Sequence, residues 1–284
     1  MSDPLLRPAA CGSSAPSGPS PRELRQRSAR REITERRRIT ARLRQALVTG
    51  DFLLHYQPIV RLGSGLARGA ETFLRLRHAR RGLIPAPHFL PIAERSDLII
   101  DIESWVLATA CADATSWPAG FTLSTALSPR HLQSGQFVRQ LLEALGSSGL
   151  APERLEFEIT EAMLIDGNDD TVFSLRALQG LGARLALSHF GTGYASLSAL
   201  KRLPIASLRL DRSLVQNLEE GPSGTALVRA AVEAGHALGC TVLAEGVETT
   251  EQYQLLCKLG ADEGQGPYFS APVTAAEMGA MFAR

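Results

Sequence analysis

The 284-residue chain lacks the features that mark secreted, membrane-spanning or disulfide-stabilised proteins. Its four cysteines show no CxxC spacing, which argues against a metal or redox motif. Its best apolar run, residues 104–112, ends at Asp113 and is too short to cross a bilayer. The N-terminus has no continuous apolar segment of the kind that a secretory signal needs. We therefore expect a cytoplasmic protein in which Cys111, Cys240 and Cys257 are reduced core residues.

Net charge is also nearly absent, at +1, but it is unevenly distributed. Between Arg22 and Arg44 stand ten arginines and three glutamates, a net charge of +7, so the rest of the chain is acidic at −6. A basic segment of this kind can contact nucleic acid or an anionic membrane surface. The helical spacing of its leucines and isoleucines favours instead a solvated lead-in helix over residues 22–46. We do not expect nucleic acid as a partner.

The remaining sequence divides into a tail and one large domain. Residues 1–21 are rich in proline, serine and glycine, and such a composition buries too little apolar surface to fold. Residues 47–284 alternate short apolar runs with amphipathic stretches, as βα units do. The predicted strands are 52–60, 67–75, 121–127, 155–160, 184–190, 207–211, 241–247 and 262–269. The predicted helices are 87–95, 102–116, 136–145, 170–180, 195–203, 224–238, 250–259 and 274–284.

Eight strands with intervening helices in about 240 residues favour an α/β fold of the closed (β/α)8 type, a TIM-like barrel. No GxGxxG follows the first strand, which argues against a dinucleotide-binding fold. Three predicted strands carry a glutamate near the end where barrel enzymes place their chemistry: Glu71, Glu158 and Glu245. A lone buried carboxylate is unfavourable, so three that converge predict a site that holds cations or hydrogen-bond donors.

Residues 45–284 resemble the EAL domain family, the cyclic di-GMP phosphodiesterase family. The matching blocks are residues 55–60 (HYQPIV), 69–71 (GAE), 89–94 (FLPIAE), 158–161 (EITE), 190–197 (FGTGYASL), 210–213 (LDRS), 244–249 (AEGVET) and 265–266 (QG). The resemblance implies a barrel whose first strand runs antiparallel and a site for cyclic di-GMP at the barrel mouth. In active members it also implies hydrolysis by two bridged divalent ions. It implies a homodimer contact through residues 190–197, a loop anchored by Glu161.

The chain departs from the family pattern at the positions that serve catalysis. The family's catalytic positions fall on Glu71, Ala126, Glu158, Ser188, His189, Arg209 and Glu245. Ala126 replaces a metal-binding asparagine, and Ser188 and His189 replace the paired aspartates that bridge the metals. Arg209 stands in place of a lysine. Glu71, Glu158 and Glu245 are retained as remnants of the metal site, with Gln265 also kept and Asp211 nearby.

These replacements predict a degenerate, non-catalytic member with no cofactor. Without the bridging oxygens, Mg²⁺ or Mn²⁺ would be held weakly, and either ion matters only if the chain is a residual hydrolase. Loss of groups that act as a unit removes several powers of ten in rate. Two interpretations of His189 stay open: a transition-metal ligand beside Glu71 and Glu158, or a local hydrogen-bond partner that fills a former aspartate position.

Ligand binding is the function that the sequence retains. In non-catalytic EAL receptors the family pattern holds the dinucleotide without metals, and the matching residues here are Gln57, Phe73, Leu74, Arg75, Asp101, Glu245 and Gln265. Arg75 can form a bidentate contact with a phosphate. Phe73 has an alternative role in the core, Gln57 in a barrel hydrogen bond, and Asp101 as a helix N-cap.

The sequence thus favours a catalytically inactive cyclic di-GMP receptor. Two alternatives stay open. One is a regulator that acts on an unidentified protein partner without binding nucleotide, and the other is a residual metal-dependent phosphodiesterase.

Overall fold

The computed structural model describes residues 21–165, 169–191 and 204–282, and within these ranges nine strands form a single sheet. The strands are β1 (Phe52–Arg61), β2 (Ala67–His78), β3 (Gly82–Pro85), β4 (Thr122–Ala126), β5 (Leu155–Thr160), β6 (Arg184–Phe190), β7 (Ser207–Leu210), β8 (Thr241–Ala244) and β9 (Glu263–Gly264).

Eight of these strands close into a barrel. β1 pairs antiparallel with both β2 and β9, whereas the pairs from β2 to β4 and onward to β9 are parallel. The (β/α)8 architecture with an antiparallel first strand is therefore confirmed. The sequence did not predict β3, which folds back on β2 outside the barrel, after Gly82 turns the chain at a φ of +67°.

The last three barrel strands are shorter than predicted, and this places functional residues in loops. Glu245 follows the end of β8, and Gln265 follows the end of β9. The next residue after Gln265 is Gly266, at a φ of +150°, where an added Cβ would lie 2.3 Å from the carbonyl oxygen of Val247. A side chain does not fit at that turn, so the chain leaves the sheet there and Gln265 ends at the barrel mouth.

Helices cover the outside of the barrel. They are α1 (Pro21–Thr49), α2 (Leu90–Ala93), α3 (Leu98–Ala114), α4 (Pro129–Gln133), α5 (Phe137–Ser148), α6 (Glu161–Ile165), α7 (Asp169–Gly180), α8 (Arg212–Gln216), α9 (Pro222–Ala237), α10 (Thr250–Leu259) and α11 (Ala275–Phe282). The helix predicted at 87–95 is split into a 3-10 turn and α2, and α4, α6 and α8 were not predicted. The helix predicted at 195–203 lies outside the described residues.

The end of α1 is built into the body of the protein. Leu43 and Ala46 are fully buried in the core. Arg42 donates to Asp51 at 2.9 Å, which ties α1 to the start of the barrel. None of the described helices is long and apolar enough to cross a membrane. Cys111 and Cys240 are buried as predicted, but Cys257 is exposed on α10, so that prediction was wrong.

Candidate functional site

The carboxyl ends of the parallel strands bring the predicted site residues together at one end of the barrel. Glu71 lies on β2, Glu158 on β5 and Arg209 on β7, while Glu245 and Gln265 follow β8 and β9. In a strand, alternate side chains face the same side, so residues two apart project into the barrel together. The polar side chains at this end therefore face each other across the barrel axis.

Arg209 occupies the centre of this arrangement, and it is the largest fully buried side chain in the described structure. Its Nη1 lies 2.6 Å from Glu158 Oε1, 3.2 Å from Glu71 Oε2 and 3.9 Å from Glu245 Oε1. We call Glu71, Glu158 and Glu245 the upper acidic cage. The guanidinium is thus the counter-ion of the three glutamates that the sequence identified as remnants of a metal site.

The second terminal nitrogen of the guanidinium contacts two side chains on the side of the cage nearer the amino ends of the strands. Nη2 donates to Glu156 Oε1 at 2.8 Å and to Ser124 Oγ at 2.5 Å. Glu156 and Ser124 were not predicted as site residues. The signal was present in the sequence, because Glu156 and Glu158 are two residues apart on β5 and must face the same side. A second inward carboxylate predicts a buried cationic partner, and Arg209 is that partner.

Charge within the cage is not balanced. Burial alone would lower the pKa of Arg209, but Glu158, Glu156 and Glu71 outweigh it and raise that pKa above its ordinary value. Burial and the neighbouring Glu158 raise the pKa of Glu71 well above its usual range, despite Arg209. Burial likewise raises the pKa of Glu245 to about 7, with Arg209 opposing the shift. One arginine therefore leaves the cage with an excess of carboxylates that hold protons at unusually high pH.

Two of the replaced family positions carry no carboxylate or amide oxygen. Ser188 is buried, and its hydroxyl donates to the carbonyl oxygen of Ile159 at 3.2 Å. Ala126 ends β4 beside Glu158 and presents a methyl group.

His189 is the exception among the replaced residues because it carries a donor atom. Its backbone has a φ of +55°, a left-handed conformation that is unusual for a residue with a side chain. Its Nδ1 lies 3.1 Å from Asp211 Oδ2 and 3.9 Å from Glu245 Oε2. Burial raises the pKa of Asp211, but hydrogen bonds from Ser213 and His189 lower it below its ordinary value.

The neighbours of His189 bear on its two interpretations. Among the described residues, the candidate ligand atoms that lie within 4.8 Å of one another belong to two groups, His189 with Asp211 and Glu245, and Glu71 with Glu158 and Glu245. The proposed partnership of His189 with Glu71 and Glu158 is therefore wrong. The local hydrogen bond to Asp211 agrees with the other interpretation.

The residues matched to ligand binding are arranged around the barrel mouth. Glu71, Phe73 and Arg75 alternate along β2, so they share one face and continue from the cage towards the rim. The guanidinium carbon of Arg75 lies 5.7 Å from the centre of the Phe73 ring. Leu74 is buried on the opposite face and packs in the core. The mouth therefore presents an aromatic ring and a half-buried cation above the cage.

The other matched residues have individual roles in the structure. Gln57 is buried, and its Nε2 donates to the carbonyl oxygen of Ser270 at 2.8 Å. Asp101 is exposed in the first turn of α3, whose N-cap position is Asp97, so its interpretation as the N-cap was wrong. Gln265 and Glu161 are buried, Glu161 as the first residue of α6. Of the predicted dimer loop, residues 192–197 lie outside the described residues.

This geometry defines an α/β barrel with an acidic pocket, closed by one arginine, at the carboxyl ends of its strands. The EAL domain model matches residues 40–272. The chain belongs to the EAL domain family, a family of cyclic di-GMP signalling proteins.

Individual relatives agree with this assignment. An uncharacterised signalling protein of Caulobacter vibrioides is 39% identical over 240 residues, which is 84% of this chain and 30% of that protein. The chain spans about a third of the length of the curated relatives it matches.

Solved structures show the same fold with ligand. The MucR phosphodiesterase in complex with c-di-GMP aligns with a TM-score of 0.81 and 35% identity over 85% of this chain and 99% of that chain. The FimX EAL domain of Pseudomonas aeruginosa bound to c-di-GMP aligns with a TM-score of 0.76 and 28% identity, covering 83% of this chain and 96% of that chain.

Proposed function

We propose that this chain is a catalytically inactive EAL-domain receptor for cyclic di-GMP. The observation that carries the proposal is the position of the Arg209 guanidinium, which lies 2.6–3.9 Å from all three glutamates of the upper acidic cage. The cation that these carboxylates contact is thus supplied by the chain itself. In the family's active members, two divalent ions would be required at this end of the barrel.

A pair of hydrolytic ions does not fit the residues present. Divalent ions such as Mg²⁺ require near-octahedral oxygen coordination. Ala126 carries no side-chain oxygen, Ser188 has only a neutral hydroxyl that donates to the Ile159 carbonyl oxygen, and the cage carboxylates already contact Arg209. A guanidinium stays protonated in proteins, so Arg209 can neither accept a proton from water nor bridge a hydroxide. We therefore derive no hydrolytic step for this chain.

The same arrangement supports binding of an anionic dinucleotide. A cage of three carboxylates would repel the phosphates of cyclic di-GMP, and Arg209 offsets part of that charge without a metal. Arg75 can form a bidentate pair with a phosphate, and Phe73 beside it offers a face to a guanine base. Glu245, 17% exposed at the mouth, can accept hydrogen bonds from a guanine edge. The two ligand-bound structures named above have this fold.

Titration calorimetry of the purified chain with cyclic di-GMP, with and without EDTA, tests the proposal. We expect binding that is unchanged by the chelator. Arg75→Ala should weaken it about 10- to 100-fold, since a hydrogen bond to a charged group contributes about 1.5–3 kcal/mol. Arg176→Ala, which removes an exposed arginine on α7, is the matched control and should bind as the parent does.

Three outcomes would contradict the proposal in different ways. Absence of binding with and without EDTA would favour the regulator that acts through a protein partner. Binding that disappears in EDTA would show that a metal is required. Formation of the linear dinucleotide pGpG with Mn²⁺ would show a residual phosphodiesterase.

A further inference from the structure

A second concave site lies between α1 and the β2–β3 hairpin. It is a cleft of about 380 Å³, within the size range of small-ligand sites. Its floor is apolar and is formed by Ile39, Leu43, Leu76, Ile84 and Phe89. We call it the hairpin cleft. None of the residues that we assign to cyclic di-GMP binding lines it.

The rim of the hairpin cleft is basic. Its charged residues include four arginines, Arg38, Arg42, Arg80 and Arg81, and one glutamate, Glu35. Arg42 is neutralised by Asp51 at 2.9 Å. Arg38 lies 4.0 Å from Glu35, and both side chains are mostly exposed, so this contact contributes little. The rim therefore keeps an excess of positive charge.

Of the arginines at the rim, those in the β2–β3 hairpin are the least neutralised by acidic neighbours. Arg80 and Arg81 are exposed at the turn between β2 and β3, and neither side chain has an ion-pair partner within the described part of the chain. Two aliphatic side chains that line the cleft, Ile39 on α1 and Ile84 on β3, are only partly buried. Arginines beside partly accessible aliphatic groups are typical of surfaces that meet anionic lipid.

We propose that the hairpin cleft docks the protein on a membrane surface rich in acidic phospholipid. The arginines of the rim would contact lipid phosphates, and the partly buried Ile39 and Ile84 at the floor would contact the glycerol and upper acyl portion of one lipid. Charge complementarity is reinforced by the net +7 between Arg22 and Arg44 of the same helix. Single-stranded nucleic acid is less well matched, because its bases stack best on phenyl, phenol and indole rings and the one such ring that lines the cleft, Phe89, is only 3% exposed, which leaves only histidines.

Co-sedimentation of the full chain with vesicles tests this proposal. We expect binding to phosphatidylcholine vesicles that contain phosphatidylglycerol, no binding to phosphatidylcholine alone, and loss of binding as salt is raised. Each arginine near an anionic surface adds to the attraction, and a glutamate in its place adds repulsion. The double variant Arg80→Glu with Arg81→Glu should therefore bind at least about tenfold more weakly.

A matched control variant distinguishes an effect of the hairpin cleft from an effect of the net charge of the protein. Arg176→Glu with Arg229→Glu makes the same change in net charge at two exposed helical positions outside the cleft, and it should bind vesicles as the parent does. Soluble dihexanoyl phosphatidic acid should compete with the vesicles, whereas inorganic phosphate should not at equal concentration.

The proposal is overturned if both double variants lose binding equally or if vesicles do not bind. It is also overturned if RNA binds more tightly than vesicles and is released by the hairpin variant. Calorimetry with cyclic di-GMP on the hairpin variant should be unchanged, so this test is independent of the proposed receptor function.

Discussion

Two buried charge clusters share the interior of one barrel, and they differ in their charge balance. In the lower cluster, Arg68 donates to Glu263 at 2.7 Å and also contacts Glu156 and Thr122. In the upper acidic cage, Arg209 alone faces three carboxylates. Glu156 joins the two clusters, because it contacts both arginines.

The pKa values of the glutamates differ between the two clusters. Burial alone would raise the pKa of Glu156, but Arg68 and Arg209 together lower it below its ordinary value. Glu71 and Glu245, at the upper end, have raised pKa values. The lower cluster has the smaller excess, two carboxylates on Arg68 with one of them shared with Arg209, and it holds strands together, whereas a larger excess of carboxylates beside an open mouth is expected where a ligand is bound. The comparison therefore separates a structural cluster from a functional one.

The largest effect should come from removing either arginine. Arg209→Met and Arg68→Met each leave buried carboxylates unpaired, which we expect to lower the free energy of unfolding by about 3–5 kcal/mol. Urea unfolding measures this loss. The two variants should differ in their effect on ligand binding. Arg209→Met should also weaken cyclic di-GMP binding, because it makes the cage more negative.

For Arg68→Met, in contrast, the dissociation constant should stay within about a factor of two of the parent value, because Arg68 contacts none of the residues assigned to ligand binding and reaches the cage only through Glu156. If Arg68→Met weakened binding as much as Arg209→Met does, the division into a structural and a functional cluster would fail.

A smaller effect should appear in the pH dependence of stability. The folded pKa of Glu245 is raised to about 7 from an ordinary value of 4.5. Its favourable contribution is therefore fully present below pH 4.5 and is lost as the pH rises through 7. Glu245→Gln keeps the uncharged form, so it should be more stable than the parent above pH 7, by on the order of 2 kcal/mol, and similar below pH 4.5.

Glu156→Gln is the opposite case and serves as the control. The folded pKa of Glu156 is lowered, so its contribution is present above its ordinary pKa, and the variant should lose stability at neutral pH. Unfolding free energies measured across this pH range test both expectations. If the unfolding free energy of Glu245→Gln followed that of the parent at every pH, with a constant difference, the raised pKa of Glu245 would be contradicted.

Much of the barrel could be predicted because each strand carries its own signal. Short apolar runs between amphipathic helices gave the eight barrel strands, and motif positions placed Glu71, Glu158 and Arg209 at one end. β3 was missed because four residues, Gly82–Pro85, carry too little pattern to distinguish a strand from a turn. Strand ends were also misplaced. A glycine such as Gly266 ends a strand because a neighbouring backbone leaves no room for a side chain, and that neighbour cannot be identified from the sequence alone.

The function of Arg209 could be predicted only in part. Its charge was visible in the sequence, but its reach into the cage depends on a long side chain that crosses the barrel to strands β2 and β5. His189, which has a left-handed backbone, lies beside Asp211 and Glu245 rather than beside Glu71 and Glu158. Local sequence did not indicate either feature, because both arise from tertiary packing.

We propose that the guanidinium of Arg209 takes the place of metal ions in the upper acidic cage. A crystal soaked in manganese and measured at the manganese absorption edge tests it most directly. We expect no anomalous peak between Glu71, Glu158 and Glu245, and we expect the Arg209 guanidinium to contact all three glutamates. Two ordered manganese ions bridged within the cage, with Arg209 displaced, would contradict it.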